Sequence, residues 1–159
     1  MRSVDTEKWS VAMPWEYNQT TGEMKHNGQS VGRGYSGAGR RGSVSRNNPK
    51  MEAISNTGPI PQGRYLIGSP RKSAKTGPHV MDLTPIGHSA HGRSAFQIHG
   101  NNKTDDASSG CIIMPPAVRK RISSSGDNEL VVISGAGAHV IPGLRPMIES
   151  LERVPRFFA

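Results

Sequence analysis

Cysteine is nearly absent from this chain of 159 residues, with Cys111 standing alone. A single thiol excludes an internal disulfide and a zinc site built on clustered thiolates, so Cys111 is either a packed apolar filler or a thiol that is used. No apolar run approaches the roughly 20 residues that a membrane-spanning helix requires, and no membrane insertion is expected. The first 30 residues also lack the basic, apolar, small-residue order of a signal peptide, so synthesis in the cytoplasm without a leader is expected. Acidic side chains are outnumbered, 12 against 20 Lys and Arg, for a formal charge of +8. Such a surface attracts polyanions without choosing among nucleic acid, anionic lipid and cell wall.

Hydrophobic residues make up only 33%, whereas Gly (19) and Pro (12) are abundant, a balance that suits short strands joined by many turns and disfavours a helical bundle. Length allows one compact domain with a single site. The fold class expected is mostly β, mixed α/β, with few short helices and long loops.

Local patterns fill in that frame. Trp15 to Asn18 and Glu23 to His26 flank the polar turn Gln19-Thr20-Thr21-Gly22 and read as a hairpin, with Trp15 and Tyr17 as core. Val31 to Asn48 has no apolar period and is expected to be a long loop. Asn48-Pro49 offers a helix cap followed by Pro at the first position, with Met51 and Ile54 three apart. Strands are expected at Arg64 to Ile67, Val80 to Leu83, Ala95 to His99 and Leu130 to Ile133. Short helices are expected at Ala117 to Ile122, with Val118 and Ile122 on one face, and at Leu144 to Arg153. Cys111 then falls between a loop and a short helix, and His99 at a strand end.

Chemistry concentrates in Phe96-Gln97-Ile98-His99-Gly100 and Ser108-Ser109-Gly110-Cys111. A free thiol is mostly protonated at neutral pH and the thiolate is the attacking species, so a nucleophilic cysteine needs an imidazole beside it. His99 is the best-placed base. Gly110 removes a side chain where substrate must approach the backbone and permits a tight turn that aims amide N–H groups at a developing oxyanion. From spacing alone a hydrogen-bonded strand-end histidine and a packed cysteine remain an equal alternative.

Pro61-x-Gly63-x-Tyr65, His99-Gly100 and Ser108-x-Gly110-Cys111-Ile112, in that order, resemble the signature of the YkuD-type L,D-transpeptidases. The stretch from Gly34-Tyr35-Ser36-Gly37 through Asn47-Asn48-Pro49 to Gly58-Pro59-Ile60-Pro61-Gln62-Gly63 is similar to the L,D-transpeptidase-like antibacterial effectors of type VI secretion systems. The resemblance implies a compact YkuD-like sheet, a catalytic core over about 15–135 and a C-terminal extension over 136–159, within one domain spanning 1–159. It implies Cys111 as the acylated nucleophile and His99 as base, with backbone support from Gly110, Gly100 and Ser109 and oxyanion donors in the amides of Gly110 and Cys111. The implied activity is removal of the terminal D-alanine from tetrapeptide stems of peptidoglycan, or its exchange for another D-amino acid, in the periplasm of a target bacterium. A cognate immunity protein and secretion components are the implied partners. Ser109 stands where the transpeptidase motif has a second histidine and Ile113 where an arginine follows, so trimming and exchange are implied ahead of cross-linking.

Other residues carry weaker readings. Tyr35 and Ser36 in the Gly-rich loop, with His91 and Ser108, are candidates for substrate contact. His79, His88, His91 and His99 could offer imidazoles to zinc, but no acidic residue stands at a ligand spacing, and neither metal nor other cofactor is expected. Asp105 and Asp106 are candidates to orient His99, a task that a backbone carbonyl also performs. Two other function classes remain open: a cell-wall cysteine peptidase of NlpC/P60 type, disfavoured by the His-before-Cys order, and a nucleic-acid module using Arg33, Arg40, Arg41 and Arg46. With 5% aromatic residues and no reader motif, no nucleic acid partner is expected, and a monomer is.

Overall fold

The computed structural model describes residues 13–135; the expected helix at Leu144 to Arg153 lies outside them. The described part is mostly β. Its strands are β1 (Trp15–Asn18), β2 (Glu23–His26), β3 (Gln29–Arg33), β4 (Tyr35–Ser36), β5 (Gly63–Ile67), β6 (Arg71–Ser73), β7 (Gly77–Ile86), β8 (Phe96–His99), β9 (Ile112–Ile113) and β10 (Glu129–Ile133), with one α-helix, α1 (Pro116–Ser124). None of its helices is long and apolar enough to cross a membrane.

The expected hairpin is β1–β2, with Tyr17 opposite Met24. Alternation decides its faces: Trp15 and Tyr17 are buried while Glu16 and Asn18 are half-exposed. Sheet order runs β3-β2-β1-β10-β5-β7-β8-β9-β4, with β6 paired separately to β7. Consecutive strands β3 and β4 therefore sit at opposite ends of that order, joined by Gly34 alone, which curls the sheet into a nearly closed barrel. Gly34 is required there because a Cβ would strike the Ile113 carbonyl.

Residues 31–48 thus differ from expectation. Two short strands occupy part of the supposed loop, because pairing at the ends of a curled sheet needs backbone partners and little apolar alternation. β3 is largely exposed, as its polar sequence dictates. The Asn48 side chain accepts from the Lys50 amide at the head of the 3-10 turn Pro49–Met51, as its cap sequence predicts. β7 is longer than the expected Val80 to Leu83 core.

Trp15, Tyr65, Met81, Ile98, Ile112 and Leu130 are fully buried members of one core. α1 closes it by burying Val118 and Ile122. Gly32 on β3 lets Val118 approach, since a Cβ there would collide with that side chain.

Candidate active site

β8 and β9 run parallel, with Ile98 beside Ile112 and His99 beside Ile113. Ile98 and Ile112 face the core, so the residues flanking them face the other way. Continuing the register one step back sets Cys111 beside Gln97, on the same face as His99 and diagonal to it. β9 intervenes between Cys111 and the helix, an element absent from the expected order of loop, Cys111 and short helix.

Both side chains line one cleft of about 540 Å³, together with Lys75, Thr76, Arg93 and Ser109. The His99 Nδ1 lies 2.9 Å from the Gly100 carbonyl. A carbonyl only accepts, so Nδ1 carries the proton and Nε2 is left as the basic nitrogen. Burial holds the His99 pKa below its ordinary value, offset in part by the Gly100 carbonyl and reinforced by Arg119 and Lys75. The ring is therefore neutral and able to accept a proton at neutral pH.

Burial pushes the Cys111 thiol up, against the Gln97 backbone amide and the cations of Lys75 and Arg93, which favour the thiolate. Its Sγ points toward the Ala95 carbonyl at 3.8 Å. Among the described residues no hydrogen bond joins the sulfur to the imidazole. Ala95 itself has φ of +65°, a left-handed conformation that is strained for a residue with a Cβ.

Asp105 and Asp106 do not orient His99. Asp105 accepts from Asn101 and pairs with Arg46, and Asp106 accepts from Asn102 and Thr104; the Gly100 carbonyl holds the ring instead. The Gly110 amide also departs from expectation, since it donates to Ser108 Oγ at 3.0 Å and cannot serve an oxyanion at the same time. The Cys111 amide has no acceptor among the described residues.

Ser108 is buried and its hydroxyl is fully engaged, donating to the Cys111 carbonyl at 2.7 Å and accepting from the Gly37 and Gly110 amides. Ser36 is likewise buried, donating to the Gly110 carbonyl at 3.1 Å and accepting from the Ile60 amide at 2.9 Å. Both hydroxyls brace the Cys111 loop, and their burial keeps them from a substrate. Tyr35 lies outside the cleft, its hydroxyl between Asn101 and the Ala107 amide and its ring under the Arg46 guanidinium. His91 is exposed and bonded to Glu52, outside the cleft. His88 meets the Arg64 carbonyl and His79 meets Ser123, and no metal-holding cluster exists among the described residues.

Two arginines that sequence reading passed over support the site. Arg93 is buried, with Nη1 donating to the Glu52 and Pro59 carbonyls and Nη2 to those of Gly58 and Ser109. Arg119 is buried and donates to the carbonyls of Met114, Pro78 and His79. Each fills the space that a side chain would need on the glycine beside the site, Gly110 for Arg93 and Gly100 for Arg119. Pro61-x-Gly63-x-Tyr65 is a packing motif, with Tyr65 donating to the Pro61 carbonyl and meeting His88 and Phe96 edge-on. No curated protein matches the chain. Residues 30–133, well over half of its length, match the family model described as the Tlde1 domain.

Proposed function

The chain belongs to the Tlde1 domain family, antibacterial effectors of type VI secretion systems, and from that premise we propose that it is a cysteine peptidase that trims or exchanges the terminal D-alanine of peptidoglycan tetrapeptide stems. Membership implies secretion into target cells and a cognate immunity protein; the periplasm is the compartment where such stems are met. The whole chain acts as one catalytic domain in this reading.

One observation carries it: Cys111 and His99 open from one face of the parallel β8–β9 pair into one cleft, with His99 Nε2 left bare by the Nδ1–Gly100 bond. In the first step the Cys111 S–H proton passes to Nε2, directly or through one water as substrate seats, and the sulfur attacks the carbonyl carbon of the third stem residue. The oxyanion forms beside the unengaged Cys111 amide, on a loop that the Gly110 amide and the Ser109 carbonyl hold in place through Ser108 and Arg93. Collapse breaks the C–N bond, His99 returns its proton to the departing D-alanine nitrogen, and a thioester remains. Water then gives a shortened stem, and a D-amino acid gives an exchanged one.

Lys75 completes the electrostatics. It is exposed on a turn in the cleft, and its charge reaches both His99 and Cys111. Among the described residues it has no carboxylate partner, so it suits the free carboxylate of the terminal residue.

The test is incubation of pure protein with defined tetrapeptide muropeptides, with and without an added D-amino acid, read by mass spectrometry. Release of D-alanine, its replacement in the second arm, and loss of both in Cys111→Ala are expected. A cut inside the stem, or full activity in Cys111→Ala, overturns the proposal.

A further inference from the structure

A second hollow of about 1000 Å³ shares Thr76 with the cleft and is lined by Gly100, the residue that follows the base. Its walls carry Arg33, Arg41, Arg46 and Arg119 against a single carboxylate, Asp105. Arg46 is already paired with Asp105 at 3.0 Å and Arg119 is engaged with backbone carbonyls. Arg33 and Arg41 are exposed and form no ion pair among the described residues, although Arg33 stands opposite Glu23 in the β2–β3 register and the Arg41 charge reaches Asp105. Pro115 and Pro116 line the same hollow where α1 begins, and no side chain caps that helix end, so the amides of Ala117 and Val118, next after prolines that have none, add positive potential.

We propose that this hollow is an anion subsite in which Arg33 and Arg41 take a free carboxylate of the peptide reaction partner. The inference rests on the peptide-stem reading for the identity of that carboxylate. Guanidinium groups grip carboxylates through paired N–H donors, and a hollow that shares Thr76 with the cleft leaves the scissile carbonyl at Cys111. Two sources bear the same chemistry: a carboxylate further along the donor stem, or that of the amino acid that resolves the thioester.

The experiment compares Arg33→Gln/Arg41→Gln with the parent. Binding of a disaccharide tetrapeptide and of its counterpart with amidated side-chain carboxylates is measured on Cys111→Ala protein, which needs no turnover; hydrolysis and exchange with a free D-amino acid are measured on active protein. If the donor stem fills the subsite, the double variant weakens binding of the free-acid stem roughly tenfold and leaves the amidated stem unchanged. If the incoming amino acid fills it, stem binding and hydrolysis persist while the KM for the amino acid in exchange rises by a similar factor. Unchanged stem binding together with unchanged exchange overturns the subsite, whereas stem binding without any D-alanine release by the parent overturns the enzymatic reading and leaves the subsite standing.

Discussion

The guanidinium of Arg93 occupies the space that a side chain on Gly110 would need, and its Nη2 donates to the neighbouring Ser109 carbonyl at 3.1 Å. Gly110 also has φ of +138°, a region that residues with a Cβ rarely adopt. Gly110→Ala is therefore expected to destabilise the fold by about 1–3 kcal/mol and, by shifting the nucleophile, to lower D-alanine release on the order of a hundredfold. Denaturant midpoints and release rates check the two effects separately.

Arg93 acts in two ways that substitutions separate. Arg93→Lys keeps the charge but loses the planar fork that reaches four carbonyls, so stability should fall by about 1–3 kcal/mol while thiol ionisation changes little. Arg93→Gln loses the charge as well and should slow alkylation of Cys111 at fixed pH. Iodoacetamide labelling on folded protein measures this; equal labelling rates in both variants contradict the electrostatic role.

Lys75 provides a test of substrate polarity. Lys75→Ala should raise KM for stems ending in a free carboxylate about tenfold, the size of one charge-assisted hydrogen bond, and also lower kcat, because its charge favours the Cys111 thiolate. The KM for stems with an amidated end should respond little, and Lys75→Arg should recover most of the affinity. An equal rise in KM on both stems argues for a structural task instead.

Acid should weaken the fold through His99. Its folded pKa is lowered by burial, so below the ordinary histidine value of about 6.5 the unfolded chain binds the proton more readily and stability drops as pH falls. Cys111 has the opposite sign: its folded pKa is raised, so stability falls as pH rises through the ordinary thiol range toward that higher value. Urea midpoints across pH should therefore decline at both ends, with the acid limb shallower in His99→Gln. Activity should rise on the alkaline side as the thiolate fraction grows.

Much of this site could be read from the chain because its signals are local. His99 ends a strand with apolar Phe96 and Ile98, and Gly100 and Gly110 mark close approaches that only glycine permits. The hairpin and the Asn48 cap were legible for the same reason. Arg93 and Arg119 were not, because a lone arginine in polar sequence reads as solvated until the carbonyls converging on it are known. The only clue was a glycine next to each of His99 and Cys111, whose missing side chain makes room for something bulky. β3 and β4 escaped because strands without alternation leave no periodic trace. The two serines of the Cys111 loop were legible as important but not as braces, since sequence does not reveal where a hydroxyl's partners lie.

β10 has a consequence for biogenesis. Although it is the last described strand, it lies between β1, to which it pairs in parallel, and β5. A nascent polypeptide lacking Glu129–Ile133 would hold two sets of strands linked only through Gly34, between β3 and β4, with the gap between β1 and β5 unfilled. Such distant pairing slows folding and makes assembly all-or-none. Translation must pass residue 133 before the sheet can close, and fragments ending earlier should lack effector activity for want of a central plank.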